Sequence, residues 1–124
     1  MFVFENLEVY KKAVLLYTKI SALKLGITYH DKTIANQLMR STLSIPLNIA
    51  EGSGKESNKD RKNYLLISRG SLYETVSILN ILKVNGTIKI EVYAELYQIA
   101  EEVSKMLRVM INNLIQEIAY PRKT

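Results

Sequence analysis

Between Ile90 and Ile118 the apolar residues Val92, Leu96, Ile99, Val103, Met106 and Met110 recur at spacings of 4-3-4-3-4. That period fits one face of an α-helix and no β-strand, and it is the spacing of a coiled-coil seam. A helix carrying such a seam must bury it against other helices, which directs the whole chain towards an all-α fold. Three earlier stretches share the period. The first spans about 7–25, with Leu7, Tyr10, Val14, Tyr17 and either Ile20 or Ser21 on one stripe, and Gly26 is its expected C-terminal cap. The second spans about 32–51, opened by Asp31 as N-cap and closed by Gly52-Ser53-Gly54. The third spans about 58–83, opened by Ser57 with Asp60 three residues on and closed by Asn85-Gly86. With the fourth at about 90–118, short connections predict an antiparallel up-down four-helix bundle, one domain over residues 1–124.

Pro46 is the irregular point of the second stretch, because inside a helix it deletes the hydrogen bond to Thr42. Leu38, Ile45 and Ile49 keep one register across it, which favours a kink over a fresh helix capped by Ser44.

Composition removes whole classes of chemistry. There is no cysteine, so disulfides, thiolate catalysis, zinc fingers and iron–sulfur ligation are excluded, and one histidine, His30, excludes a His-rich metal site. His30 beside Asp31 reads as an ordinary surface residue. The longest apolar run, Ala13 to Tyr17, is five residues, far below the ~20 that cross a bilayer. Glu5 and Glu8 stand where a signal peptide would be apolar, so a cytoplasmic protein without a membrane partner is expected. Gly52-Ser53-Gly54-Lys55 lacks the spacing and the preceding strand of a phosphate loop. No cofactor is expected.

The apolar surface exceeds what a monomeric bundle needs. Ala13-Val14-Leu15-Leu16-Tyr17 makes one turn apolar all round, and Tyr93, Tyr97, Ala100, Leu107, Ile111 and Leu114 form a second stripe on the fourth helix. Surfaces of that breadth mark partner faces, so self-association is expected over wide core packing.

A polar line accompanies the core. Ser41, Ser44, Asn48 and Glu51 share one face of the second helix, and Gly70, Ser71, Glu74 and Ser77 share one face of the third. A structural reading buries this seam, with Arg40 and Arg69 as counter-ions for the carboxylates and small residues letting the helices approach. An enzymatic reading would pair Glu51 with Glu74. It has neither the Glu-x-x-His repeats of a bundle di-metal site nor the open cleft of a glycosidase pair, so the structural reading outweighs it.

At these residues the chain resembles a known family. Ser44-Ile45-Pro46-Leu47-Asn48-Ile49-Ala50-Glu51-Gly52, then Arg69-Gly70-Ser71-Leu72-Tyr73-Glu74, are similar to the four-helix-bundle proteins first found encoded in intervening sequences of bacterial large-subunit ribosomal RNA genes. The opening from Phe4 to Ala13 and the segment Gln37-Leu38-Met39-Arg40-Ser41 extend the likeness over nearly the whole chain. It departs at Leu47 and Ser53, which fall at variable places, and at Tyr29-His30, where a Pro-containing loop is common. The resemblance implies a homopentameric ring and no enzymatic activity. It also brings in related accessory proteins of diversity-generating retroelements, which bind nucleic acid and a reverse transcriptase.

Seventeen Lys and Arg against twelve Asp and Glu give a net charge of +5. Lys55, Lys59, Arg61, Lys62 and Arg69 concentrate cations between the second helix and the first half of the third, against Glu56 and Asp60. In one chain such a run reads as a solvated face, but five copies would carry +25 and repeat it around an axis. A nucleic-acid-binding accessory protein, on structured RNA or DNA, is therefore expected. The competing class is a scaffold that recognises another protein through its ring, and neighbouring genes would separate the two.

Overall fold

The computed structural model describes residues 1–25 and 29–122, with the backbone alone for 29–31. A 3-10 turn at Val3–Asn6 precedes helix α1 (Glu8–Ser21), followed by α2 (Tyr29–Ser53), α3 (Asn58–Val84) and α4 (Ile90–Ala119). There is no strand among the described residues. Helix α2 packs on α3, α3 on α4, and α1 on both α2 and α4, so a four-helix bundle closes around one core.

Cross-helix contacts give the chain directions. On α3, Ser68, Ser71 and Thr75 meet Ile45, Ser44 and Ser41 of α2, so numbers rise on one helix as they fall on the other. Lys12 and Lys19 of α1 meet Glu102 and Glu95 of α4 in the same inverse order. At the two ends of the α3–α4 pair, Asn58 bonds to Glu117 and Lys83 covers the Tyr93 ring. All three pairs are antiparallel.

The core takes Val9, Ala13, Leu16 and Ile20 from α1, Leu38, Ile45 and Ile49 from α2, Leu65, Leu72 and Leu79 from α3, and Leu96, Ile99, Val103, Leu107 and Ile111 from α4. Each of the larger side chains contributes about 1.5–3 kcal/mol by leaving water. The α1 stripe differs from the one expected. Tyr10, Val14 and Tyr17 are only half-buried. The apolar turn at Ala13–Tyr17 offers two stripes of similar hydrophobicity, and the tyrosines settle at the margin where their hydroxyls reach water. On α4, Ala100, Leu107 and Ile111 belong to the core rather than to a surplus face, because three facing helices wrap more of α4 than a single seam.

Boundaries follow local hydrogen bonding. Helix α1 stops at Ser21, four residues short of the expected end. The Leu23 N–H bonds to the Ile20 carbonyl, and Leu23 and Leu25 fold against the core. The cap expected at Gly26 lies outside the described residues, as does the side chain of His30. Helix α2 starts at Tyr29, which places Asp31 inside the helix instead of at its N-cap. It then runs through a buried Pro46 without a break. Ser44 does not cap a new helix; its hydroxyl is engaged by Asn48 and Ser71.

The third helix begins and ends as its sequence requires. The Ser57 hydroxyl accepts from the Asp60 N–H at 3.1 Å. At the other end Gly86 adopts φ +79°, with Gly86 N–H bonded to the Lys83 carbonyl and Thr87 N–H to the Leu82 carbonyl. These are the two bonds of a Schellman closure, which needs the left-handed conformation that glycine takes at no steric cost.

Candidate functional site

The polar seam between α2 and α3 is a ladder of hydroxyls. The Ser71 hydroxyl donates to Ser44 Oγ at 2.8 Å, Thr75 Oγ1 lies 2.9 Å from Ser41 Oγ and 3.4 Å from Thr42 Oγ1, and Ser68 Oγ donates to the Ile45 carbonyl at 2.9 Å. Ser41, Thr42, Ser68 and Thr75 are buried. Ser44 and Asn48, with Asn48 Nδ2 donating to Ser44 Oγ at 2.9 Å, are half-buried. Short hydroxyl side chains satisfy one another across the interface, which removes the cost of burying them unpaired.

The carboxylates expected in this seam are not in it. Glu51 is exposed and pairs with Lys55 at 3.7 Å, while Glu74 is exposed and accepts from Gln37 Nε2 at 2.5 Å. Neither Arg40 nor Arg69 makes an ion pair among the described residues. Helical periodicity put Glu51 and Glu74 on the lines of Ser44 and Ser71, but both lines face outward at those turns. Gln37 and Glu51 are fourteen residues apart on one helix, which separates the two carboxylates by about 21 Å at ~1.5 Å per residue. They cannot act as a pair on one substrate atom.

Thr42, Ser68 and Thr75 were absent from the expected seam. The signal for Ser68 and Thr75 is the Ser68-x-x-Ser71-x-x-x-Thr75 spacing, which matches Ser41-x-x-Ser44-x-x-x-Asn48 on α2; Thr42 falls outside it. Gly70, taken for a point of close approach, is exposed, and a Cβ there would meet nothing within 4 Å. The close approach is at Gly52, where a Cβ would lie 2.8 Å from Tyr64 Cβ.

The basic residues divide into two groups. Arg61 spends its guanidinium on the loop: Nε donates to the Lys55 carbonyl at 2.7 Å and an Nη to Asn58 Oδ1 at 3.2 Å. Lys55 pairs with Glu51, and its ammonium stands 5.1 Å from the Tyr64 ring centre. Both close the α2–α3 connection. Lys59, Lys62 and Arg69, by contrast, have no hydrogen-bond or ion-pair partner among the described residues. Lys59 is exposed and the other two are half-buried. Elsewhere, Lys11, Lys12 and Lys19 of α1 are each matched by a glutamate.

Among the described residues no His, Cys, Asp and Glu side chains gather in threes to hold a metal ion, and no helix is long and apolar enough to cross a membrane. Comparison with known proteins finds a family and similar solved structures. The family model described as 23S rRNA-intervening sequence protein matches residues 5–109. The fold is similar to the crystal structure of a protein of unknown function from the S23 ribosomal protein family of Bacteroides thetaiotaomicron VPI-5482. The two are 25% identical with a TM-score of 0.72, over 83% of this chain and 97% of that one. No curated protein matches the chain.

Proposed function

We propose that this chain, which belongs to the 23S rRNA-intervening sequence protein family, is a non-enzymatic cytoplasmic accessory protein that binds RNA or DNA as a homo-oligomer. The observation that carries this reading is the run of cations along α3. Lys59, Lys62 and Arg69 lie on that helix without an ion-pair partner among the described residues, while the lysines of α1 pair with glutamates. Arg40, Lys105 and Arg108 on the other helices also lack an ion-pair partner among the described residues. Unpaired cations on a rigid helix are the footprint of a phosphate-binding surface, since each can release a condensed counterion from the nucleic acid.

Exposed apolar surface supports the self-association in this reading. The chain exposes 8181 Å², about a fifth more than the ~6,800 Å² that a compact monomer of 14.2 kDa exposes. Leu47 and Ile67 are 56% and 52% exposed on adjoining helices. A pentameric ring, as the family resemblance implies, would cover such surface and multiply weak contacts by avidity. The second reading, a ring that recognises another protein, draws on the same exposed apolar residues.

Fluorescence anisotropy with labelled RNA and DNA tests the proposal. Three phosphate contacts per chain predict a loss of about 40-fold in affinity between ~50 and ~200 mM salt for a duplex. The combined variant Lys59→Gln, Lys62→Gln, Arg69→Gln should weaken binding and flatten that salt dependence, with Arg61 left in place to hold the loop. Absence of binding at low salt would transfer the assignment to the protein scaffold.

A further inference from the structure

We propose that the groove between α3 and α4 seats single-stranded nucleic acid, with bases stacked on its tyrosines and the phosphate backbone held by Lys62, Arg69 and Lys83. The inference rests on the nucleic-acid reading above and specifies the class of strand. On α3, Lys62, Leu66, Arg69, Tyr73, Val76 and Asn80 are spaced 4-3-4-3-4 and therefore share one stripe. The cations of the basic stretch thus lead directly into an aromatic surface, one helical turn from Arg69 to Tyr73.

That surface is an open groove of about 470 Å³. Tyr73, Val76 and Asn80 line one wall, and Tyr97, Glu101 and Ser104 line the other. Tyr73 is 64% exposed and touches no other ring among the described residues, which leaves its ring face free to stack on a base. Tyr97 leans on Tyr93 with ring centres 5.7 Å apart. The Lys83 ammonium sits 4.2 Å from the Tyr93 ring centre, so a cation closes the end of the groove opposite Arg69. From Arg69 to Lys83 is fourteen residues, about 21 Å of helix. About six stacked nucleotides at ~3.4 Å each fit that length, and single-strand sites of this kind run from ~4 to 16 nucleotides.

Charge decides the orientation within the groove. Glu101 repels phosphate but accepts hydrogen bonds from the exocyclic amines of bases, and Asn80 both donates and accepts. Bases therefore enter the groove and the backbone follows the α3 cations along its rim. A duplex keeps its base faces stacked inside and offers the tyrosines nothing comparable.

The test compares a labelled oligodeoxycytidylate of about twelve nucleotides, whose bases carry exocyclic amines, with a duplex of the same length, using the intact protein. Tyr73→Ala should weaken single-strand binding about five- to hundredfold and leave duplex binding unchanged, while Tyr73→Phe keeps both. The chain has no tryptophan and eight tyrosines, so a fall in tyrosine fluorescence on binding to wild type that shrinks in Tyr73→Ala isolates stacking on that ring. Single-strand binding that ignores Tyr73→Ala overturns the groove while the charge reading stands, provided the Lys59, Lys62 and Arg69 variant still weakens it. Failure of both oligonucleotides to bind ends both readings. A change in assembly mass on Tyr73→Ala, by light scattering, would make the groove an interface between copies and likewise overturn the proposal.

Discussion

Gly52→Ala and Gly70→Ala are the same chemical change on two neighbouring helices, and they should move stability apart. In both, replacing glycine inside a helix gains about 0.8–1.0 kcal/mol of helix propensity. At Gly70 nothing lies within 4 Å of the new Cβ, so that gain is the whole effect. For a 124-residue chain, ~2.1 cal/mol/K of unfolding entropy per residue makes it a rise of about 4 °C in Tm. At Gly52 the Cβ would lie 2.8 Å from Tyr64 Cβ and 3.4 Å from the Arg61 carbonyl oxygen. Both atoms are fixed to the α3 backbone, so no rotamer change relieves the contact and the helices must separate. Overpacking of this kind costs about 1–3 kcal/mol, which cancels or exceeds the propensity gain. The difference between the two variants isolates the steric cost, about 4–12 °C in Tm by circular dichroism, with urea melts to check that the transition stays two-state. Gly52→Ala as stable as Gly70→Ala would refute the close approach of α2 and α3. A loss of stability in Gly70→Ala that varies with protein concentration would put a second chain against that position.

Thr75→Val keeps shape and removes the hydroxyl that joins Ser41, Thr42 and the Ser71 carbonyl; a loss of about 1–3 kcal/mol in urea melts is expected, and no loss would mean the ladder is decorative. Glu51→Ala and Glu74→Ala should stay within about 0.5 kcal/mol of wild type, because both side chains are exposed; a larger loss in either would place that carboxylate in a buried network. Static light scattering on the purified protein should give about 71 kDa, five chains of 14.2 kDa, and a monomer at micromolar concentration would remove the avidity on which the functional proposal draws.

Helices α3 and α4 were legible to within a residue because periodicity and local end signals agreed, whereas α1 ended early and α2 began before Asp31. Ser57 and Asn85-Gly86 bracket α3 within a residue of where they should, and the regular seam of α4 gives a helix one residue longer than expected. Rotation about the helix axis was less legible. On α1, Leu16 and Tyr17 are neighbours of similar hydrophobicity, and only packing against α2 and α4 decides which is inside. The same ambiguity moved the seam. Periodicity counts Glu74 with Ser71 as readily as it counts Thr75, and threonine's small buried hydroxyl leaves no sequence signal as loud as a carboxylate. The division of the basic stretch was beyond sequence altogether, since it depends on the Lys55 carbonyl and the Asn58 side chain turning towards Arg61.

Side-chain size on the two flanks of α3 accounts for both the rigid seam and the groove. Towards α2 the helix presents Ser68, Ser71 and Thr75, and hydroxyls bond across at 2.8–2.9 Å. At the end of that line Gly52 lets the two helices approach closely beside Tyr64. Towards α4 the same helix presents Tyr73, Val76 and Asn80, which face Tyr93 and Tyr97 across an open groove of about 470 Å³. On α4, Glu95 and Glu102 turn to Lys19 and Lys12 of α1, while Glu101 faces the groove. Small hydroxyl residues close one flank of α3, and larger residues hold the other open. If the groove takes a single strand as proposed, this arrangement would hold an anionic, flat-ringed ligand against a backbone that does not have to move to receive it, which lowers the entropic cost of binding.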